Sequence, residues 1–288
     1  MNVSNADRAQ ILVHALPYIK KYTGKILVVK YGGNAMTSEK LKNSVAQDIV
    51  LLNLIGVRVV LIHGGGPEIT EMLTRMGKET QFVDGLRVTD RETVDVAQMV
   101  LAGRINKNLV NLLECCGGSA IGLSGIDGHM IKAEIRDERL GYVGKVTKID
   151  PKPVLDVLEK GYIPVISTLG CDDEGNVYNI NADTAAAKIA AALGAEGLIT
   201  LTDIAGILQD KDDPSTLISH IGVKDTERLI KEGVIVGGMI PKVECCAQAV
   251  RDGVRRVFII DGRIPHSILI ETLTDEGIGT MFDGGEDD

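Results

Sequence analysis

Short apolar runs alternate with amphipathic helical patterns along most of this chain. The runs at residues 26–29 and 57–62 are rich in β-branched residues, and each leads into a glycine turn that opens a helical pattern. From residue 25 onward this spacing repeats, which is typical of a mostly parallel sheet with right-handed crossovers. We therefore predict an α/β fold in three layers, an αβα sandwich in which helices cover both faces of a central sheet.

The same periodicities predict the remaining elements. Residues 129–149 resemble a β-hairpin that is interrupted by Gly141 and Gly144. Helices are predicted near residues 38–55, 67–77, 91–102, 104–116, 151–160, 182–193, 224–232 and 240–252, and strands at 119–123, 162–166, 197–201 and, as the last strand, 255–260.

An additional amphipathic helix is predicted at residues 5–23, ahead of the first strand. Pro17 lies inside it, and the missing N–H and the ring of proline predict a kink there. The α/β body does not cover the apolar stripe of this helix, so we expect another subunit to do so. The stripe comprises Ile11, Leu12, Ala15, Leu16 and Ile19.

Composition and charge narrow the classes of function. The chain of 288 residues is long enough for a large core, and its formal net charge of −9 argues against nucleic acid or an anionic membrane as a main partner. No apolar run approaches the roughly 20 residues that span a bilayer, and residues 1–10 lack the apolar segment of a signal peptide. The cysteines form two vicinal pairs and one single residue without CxxC spacing, so we expect free thiols in a reducing cytoplasm and no metal site.

The two glycine turns are the first candidates for chemistry. Lys30 ends the first apolar run just before Gly32 and Gly33, and the second run leads into His-Gly-Gly-Gly-Pro at residues 63–67. Backbone N–H groups at such turns bind anions, and the lysine makes phosphate the favoured anion. The chain lacks both G-x-x-x-x-G-K-[ST] and G-x-G-x-x-G, so a phosphate site here belongs to a different class. Tight strand-to-helix connections without a ligand are the alternative.

Two basic residues stand out beside other glycines. Arg87, within residues 84–90, is suited to hold a carboxylate with two hydrogen bonds, although a surface ion pair is the plainer interpretation. Lys242 lies in the first turn of a predicted helix, directly after the glycines of residues 237–238. A cation there opposes the helix dipole, so an anionic ligand explains Lys242 better than local stability does.

Two further polar segments interrupt the apolar pattern. In residues 179–183, Asn181 or Asp183 could cap the following helix, which leaves the other polar residues of the segment unexplained. In residues 201–208, a predicted strand ends in a polar loop. Both segments are therefore candidates for ligand contacts.

Together and in this order, the motifs resemble the amino-acid kinase superfamily and, within it, the acetylglutamate kinases. Each motif alone is weak, but their order along the chain is highly specific, and the resemblance covers nearly the whole sequence. The segments that carry it are residues 30–35, 63–67, 85–89, 122–125, 179–183, 202–203 with Gly206, and 237–242.

The resemblance implies an enzyme that transfers a phosphoryl group from ATP to the side-chain carboxylate of N-acetyl-L-glutamate, a step of arginine biosynthesis. No covalent enzyme intermediate is needed, so catalysis rests on positioning and on neutralisation of charge. By resemblance, Lys30 and Lys242 stabilise the transition state and Asp183 holds both lysines through ion pairs. Gly33 and the Gly64–Gly66 turn would offer N–H groups to the moving phosphoryl group.

The resemblance also divides the chain into an oligomerisation helix (residues 1–24), an N-acetylglutamate-binding lobe (25–194) and an ATP-binding lobe (195–288). Mg²⁺ would accompany ATP, bound mainly by phosphates and water, with no protein ligand assigned. The substrate would contact Gly65, Gly66, Arg87 and Asn179, and the nucleotide would contact Thr202, Asp203, Gly206, Ile207, Leu208, Val234, Ile235, Val236 and Gly238.

Some members of the family are inhibited by L-arginine; these carry an extra N-terminal helix and form hexameric rings, as trimers of dimers. The predicted helix at residues 5–23 therefore implies a homohexamer with an arginine site near its C-terminal segment. That site would use His266, Glu271 and Gly277, and the alternative is that these are ordinary polar positions of a terminal helix.

Two other functions stay open, and a third is disfavoured. A related kinase could act on glutamate, aspartate, carbamate or UMP, and a protein with the same fold could sense arginine without catalysis. A nicotinamide oxidoreductase is disfavoured because the chain lacks the glycine fingerprint of such enzymes.

Overall fold

A computed structural model describes residues 4–36, 38–210 and 213–285 of the chain. The helices are α1 (Asn5–His14), α2 (Leu16–Tyr22), α3 (Glu39–Leu54), α4 (Gly66–Arg75), α5 (Arg91–Gln98), α6 (Asn106–Cys115), α7 (Lys152–Glu159), α8 (Ala182–Ala192), α9 (Thr226–Lys231), α10 (Met239–Arg251) and α11 (Ser267–Leu273). The strands are β1 (Ile26–Tyr31), β2 (Arg58–His63), β3 (Phe82–Val83), β4 (Leu86–Arg87), β5 (Ala120–Ser124), β6 (Ile131–Ile135), β7 (Gly144–Ile149), β8 (Ile163–Ser167), β9 (Leu169–Cys171), β10 (Val177–Asn179), β11 (Gly197–Thr202), β12 (His220–Gly222), β13 (Arg256–Asp261) and β14 (Thr280–Asp283).

The main sheet has eight strands in the order β12-β14-β13-β11-β1-β2-β8-β5. Its strands from β13 to β5 run parallel, as the repeated β-α-β spacing predicted. At the other edge, β14 is antiparallel to β13, and β12 pairs in parallel with β14. A four-stranded sheet, β10-β9-β6-β7, and the hairpin β3-β4 complete the β-structure of the described residues. The predicted α/β class and the mostly parallel central sheet are confirmed.

The two faces of the main sheet carry separate buried layers, because successive residues of a strand point to opposite faces. On one face, Leu27 and Val29 of β1 pack in a cluster with apolar side chains of α3, α6 and α11. On the other face, Val28 packs in a cluster with α7, α8 and α10. Both layers contain residues from either side of the predicted lobe boundary, and β1 pairs directly with β11 across it. The division into lobes stays a prediction.

Helix α8 approaches the sheet closely because its buried face consists largely of alanine. Ala185, Ala186 and Ala190 are almost fully buried, and the helix contacts β1, β2 and β11 as well as α10. Methyl side chains keep the helix backbone near the strands, so the first turn of α8 has a fixed place beside the end of β1.

The predicted kink of the N-terminal helix is confirmed. Helix α1 ends at His14, α2 begins at Leu16, and Pro17 occupies the first turn of α2, where proline is tolerated. Ile11, Leu12 and Leu16 are 61%, 72% and 57% exposed. The apolar stripe is therefore largely uncovered within this chain.

Two predictions about elements were wrong. The strand at residues 255–260 is not the last one, because β14 follows it and pairs with it in antiparallel fashion. The sequence of β14 shows no apolar run, which is why pattern reasoning missed it. The predicted break at residue 103 is absent, since a π-helix, Met99–Ile105, joins α5 to α6 without interruption. None of the helices in the described residues has both the length and the apolar character needed to cross a bilayer.

Candidate active site

A cavity of about 260 Å³ opens at the carboxyl ends of β1 and β2, where the two glycine turns meet. This is the edge at which parallel α/β sheets usually bind ligands. The residues that line the cavity include Lys30, Gly32, Gly33, Gly64, Gly65, Gly66, Phe82, Gly85, Arg87, Leu101, Asn179 and Asp183. The structure thus brings the predicted catalytic residues of the first lobe together with the predicted substrate residues.

Asp183 holds two lysines that come from different parts of the fold. Lys30 Nζ, from β1, lies 2.9 Å from Asp183 Oδ1. Lys242 Nζ, from the first turn of α10, donates a hydrogen bond of 2.8 Å to Asp183 Oδ2. The carboxylate, which lines the cavity, therefore links both ammonium groups, as the resemblance implied.

The three groups of this cluster are charged. Burial alone would raise the pKa of Asp183, but the charges of Lys30 and Lys242 outweigh it and lower the pKa to about 2. Burial would lower the pKa of Lys242, but the Asp183 carboxylate more than offsets it, so the pKa of Lys242 is raised. Asp203 adds to this increase, so its charge also acts on Lys242. Two cations and one anion give the cluster a net positive charge.

The glycine turns differ from the prediction in one respect. The N–H of Gly64 donates to the backbone oxygen of Tyr31 at 3.1 Å, so Gly64 would have to break that bond to reach a phosphoryl group. The N–H of Gly65 has no acceptor among the residues that the structure describes. Gly33, which also lines the cavity, has a φ of 68°, a conformation that favours glycine.

Arg87 is almost fully buried at the end of the β3-β4 hairpin. Its Nη2 donates to the backbone oxygen of Gly66 and to Thr70 Oγ1, both at 2.8 Å. Its guanidinium carbon lies 4.8 Å from the centre of the Phe82 ring. The other terminal nitrogen, Nη1, is buried and has no partner in the described part of the chain. A buried charged donor without a partner points to an anionic ligand.

The polar residues from Asn179 to Asp183 make different contacts. Asn181 caps α8, because its Oδ1 accepts a hydrogen bond of 3.0 Å from the N–H of Thr184. That cap accounts for Asn181 and leaves Asp183 free for the two lysines. Asn179, at the end of β10, lines the cavity beside Arg87.

The predicted nucleotide residues do not line this cavity. They lie between the end of β11, where Thr202 is the last residue, and the start of α10. Ile207 and Ile235 are almost fully buried, whereas Val236 is 52% exposed. The turn at Gly206 is fixed by a hydrogen bond of 2.8 Å from the N–H of Ile207 to Thr280 Oγ1. The remaining residues of this set are Thr202, Asp203, Leu208, Val234 and Gly238, and the set is linked to the cluster around Asp183 by the electrostatic effect of Asp203 on Lys242.

The residues predicted to bind L-arginine make two separate sets of contacts. Glu271 Oε2 accepts a hydrogen bond of 3.0 Å from the N–H of Ile278, and Gly277 lies beside the same carboxylate. Burial raises the pKa of Glu271. His266 Nδ1 lies 2.6 Å from Asp48 Oδ1 on α3. Because α11 also contacts α2, this region adjoins the N-terminal helix.

Two buried polar residues near the cavity were not among the predicted site residues. His63 ends β2 and Asn106 begins α6, and their side chains are 3.2 Å apart. A histidine at the end of an apolar strand gave a signal, but Asn106 gave none, because a single asparagine in a helical pattern usually faces solvent.

The comparisons with known proteins agree with this geometry. The model of the amino acid kinase family matches residues 25–261. The acetylglutamate kinase of Brachyspira hyodysenteriae is 57% identical over 283 residues, which cover 98% of both chains. The acetylglutamate kinase of Thermosynechococcus vestitus is 53% identical, over 98% of this chain and 96% of the relative.

Solved structures show the same fold. N-acetylglutamate synthase from Neisseria gonorrhoeae, in complex with coenzyme A and N-acetyl-glutamate, superposes with a TM-score of 0.84 at 28% identity, over 96% of this chain and 63% of that one. The same enzyme with coenzyme A and L-arginine gives a TM-score of 0.80 at 26% identity, over 96% and 65%. With its parallel sheet, its glycine turns and the sequence match across residues 25–261, the chain belongs to the amino acid kinase family.

Proposed function

We propose that this protein is an acetylglutamate kinase, which transfers the γ-phosphoryl group of ATP to the side-chain carboxylate of N-acetyl-L-glutamate. The product is N-acetyl-L-glutamyl 5-phosphate, an intermediate of arginine biosynthesis. Relatives with that name are 57% and 53% identical over nearly the whole chain, which supports the proposal. The observation that carries it in the structure is the contact of Asp183 with both Lys30 and Lys242.

The two lysines act on the charge that moves between donor and acceptor. Lys30 lies in the cavity with Arg87, on the side we assign to the acceptor, and Lys242 lies beside the segments we assign to the nucleotide. Both ammonium groups are already oriented by Asp183, so little reorganisation is needed when charge develops on the phosphoryl oxygens. Phosphoryl transfer needs such positioning and charge stabilisation more than it needs covalent chemistry.

Arg87 would bind the α-carboxylate of acetylglutamate. Its Nη1 is buried without a partner, and a carboxylate oxygen would satisfy it. Asn179 would hydrogen-bond to the acetamido group or to the same carboxylate. The Gly65–Gly66 turn would contact the rest of the substrate.

The metal in this proposal is the Mg²⁺ that accompanies ATP. The described residues contain no group of three or more acidic, histidine or cysteine side chains placed to hold a metal ion. Asp183 is committed to the lysines. Mg²⁺ would therefore be held mainly by nucleotide phosphates and water, where it neutralises phosphate charge.

Arginine inhibition and hexamer formation belong to the same proposal. Glu271 and Gly277 would receive the cationic end of L-arginine, with His266 nearby, between α11 and the N-terminal helix. The arginine complex of the gonococcal synthase shows that a protein of this fold can bind L-arginine. The exposed stripe of α1 would pack on a second subunit.

The experiment is an assay of ATP consumption by the purified chain. N-acetyl-L-glutamate, glutamate, aspartate, carbamate and UMP are compared as acceptors, each with and without L-arginine. We expect turnover with N-acetyl-L-glutamate far above the others, and inhibition by arginine. Preference for another acceptor would assign a different kinase activity, and arginine binding without any turnover would indicate a sensor.

A further inference from the structure

His63 lies buried at the end of β2, next to the Gly64–Gly66 turn, and is fully inaccessible to solvent. Its Nδ1 is 2.9 Å from the backbone oxygen of Gly64. A carbonyl oxygen can only accept a hydrogen bond, so Nδ1 must carry the proton. Burial lowers the pKa of His63 to about 4, so the ring is neutral near pH 7 and Nε2 is an acceptor.

Asn106 supplies the donor for Nε2. Its Nδ2 lies 3.2 Å from His63 Nε2, 2.8 Å from the backbone oxygen of Val165 and 3.2 Å from that of Leu123. The two carbonyl groups accept only, so the NH2 end of the amide faces them and the ring, and its two protons are shared among the three acceptors, with the shortest contact to Val165. The chain of bonds therefore runs from the sheet backbone through Asn106 and His63 to the Gly64 carbonyl.

Gly122 makes room for this arrangement. A Cβ atom at Gly122 would lie 1.9 Å from Asn106 Oδ1, so any larger residue would displace the amide. The π-helix packs against the same turn: a Cβ at Gly65 would lie 2.2 Å from Ile105 Cδ1 and 2.8 Å from Leu101 Cδ2. Consecutive residues, Ile105 at the end of the π-helix and Asn106 at the start of α6, thus lie against Gly65 and His63.

We infer that His63 is a positioning residue for the transferred phosphoryl group, an inference that rests on the proposed kinase function. Its Nδ1–H holds the carbonyl of the Gly64–Gly65 peptide, which is trans, so the N–H of Gly65 points to the opposite side. Gly65 lines the cavity, and its N–H has no acceptor among the described residues. That N–H donates to an oxygen of the phosphoryl group in transit.

The physical reason is preorganisation. A free peptide in a glycine-rich turn can rotate its N–H away from the reacting atoms, and a fixed one cannot. Loss of one oriented donor, or a displacement of about 1 Å, lowers the rate of comparable reactions by about 100-fold. His63 touches no substrate atom in this scheme and acts only through Gly65.

The test compares His63→Asn with His63→Gln. Asparagine places an N–H close to the position of Nδ1 and can still donate to the Gly64 carbonyl. Glutamine places its amide near the position of Nε2, so it keeps the contact with Asn106 and loses the donor to Gly64. The measurements are kcat, KM for ATP and for N-acetylglutamate at pH 7.5, and the midpoint of thermal unfolding.

We expect His63→Gln to lower kcat by about 10- to 100-fold with both KM values within about 3-fold of wild type. His63→Asn should stay within about 5-fold of the wild-type kcat. A purely structural role would lower the unfolding midpoint of both variants and leave their kcat values equal. Equal kcat in the two folded variants, or a wild-type kcat in His63→Gln, would overturn the inference.

Asn106→Ala removes the donor to His63 Nε2 and so tests the same chain of hydrogen bonds. It replaces His63→Gln if that variant does not fold. The imidazole loses its support at Nε2 but keeps the Nδ1–H, so we expect kcat to fall by about 3- to 10-fold with unchanged KM values. A wild-type kcat in Asn106→Ala would contradict the inference. A wild-type enzyme that did not phosphorylate N-acetylglutamate would instead refute the proposed function.

Discussion

Asp183 lets two cations lie close together in a partly buried cavity. Without the carboxylate, the ammonium groups of Lys30 and Lys242 would repel each other and each would lose a hydrogen-bonded or ion-paired partner. With it, both ammonium groups are held at the carboxylate, Lys30 within the cavity lining and Lys242 on the side of α10, in a cluster with a net positive charge. Removal of either lysine should therefore affect the transition state more than the binding of substrates.

We predict that Lys30→Ala and Lys242→Ala each lower kcat by about 100-fold or more and change the KM values far less. Steady-state kinetics with both substrates varied would measure this. Lys188→Ala is a matched control, because Lys188 lies on α8, the helix that carries Asp183, but pairs with Asp252 at 2.7 Å, outside the cavity lining. A near-normal kcat for either site variant would exclude that lysine from the mechanism.

Arg87→Lys should raise the KM for N-acetylglutamate by about 10-fold and leave the KM for ATP nearly unchanged, because lysine keeps the charge but lacks the fork that bonds Gly66 and Thr70 through Nη2 while Nη1 reaches the carboxylate. Arg91→Lys is the control, since Arg91 is exposed and stacks on Tyr142 with 5.6 Å to the ring centre. A selective loss of ATP affinity would mean that Arg87 serves the nucleotide.

The π-helix and the Gly64–Gly66 turn form one packed unit, because Leu101 and Ile105 occupy the space that a side chain at Gly65 would need. Movement of the turn towards the helix is opposed by the ends of these two side chains. Packing against the π-helix therefore adds to the effect of the His63 hydrogen bond on the position of the backbone donors.

Gly65→Ala should lower kcat by about 100-fold and reduce thermal stability, because the new methyl group must displace Ile105 or the turn itself. Addition of Ile105→Ala in the same chain should restore part of both. Gly103→Ala, on the same π-helix, is the control, because no atom lies within 4 Å of a Cβ at that position. Full activity of Gly65→Ala would show that the turn tolerates movement.

The sequence predicted the parallel strands, the glycine turns and the lysines because each has a local signature. It could not predict the roles of His63 and Asn106, which are 43 positions apart and meet only after β2 and α6 have packed. The π-helix adds a wider turn that a regular helical periodicity does not reveal. The short strands β12 and β14 depend on pairing with neighbours, so they carry no apolar run of their own.

At the scale of the whole molecule, the two helices of the N-terminal segment differ in burial. Helix α1 has no buried residue, whereas Tyr22 of α2 is almost fully buried and α2 contacts α11. Each square ångström of apolar surface left in water costs roughly 25 cal/mol. The two halves of the N-terminal segment therefore differ: α2 is anchored in the core, whereas α1 is exposed, and we propose that a second subunit covers it.

Deletion of residues 1–15 should convert a hexamer into smaller assemblies, such as dimers, and weaken arginine inhibition, while kcat stays within about 2-fold of that of the intact chain. Sedimentation velocity and activity measured against arginine would test both effects. Leu12→Lys in the full-length chain is the milder variant and should act in the same direction. A truncated protein that remained hexameric and fully sensitive to arginine would contradict this arrangement.

The alanine face of α8 also limits which substitutions this enzyme tolerates. A larger side chain at Ala185, Ala186 or Ala190 would push the helix away from the strands and carry Asp183 away from its two lysines. Such a change could leave the protein folded and still stop phosphoryl transfer. Substitutions at these alanines, which touch no ligand, would therefore be selected against when cells must make their own arginine.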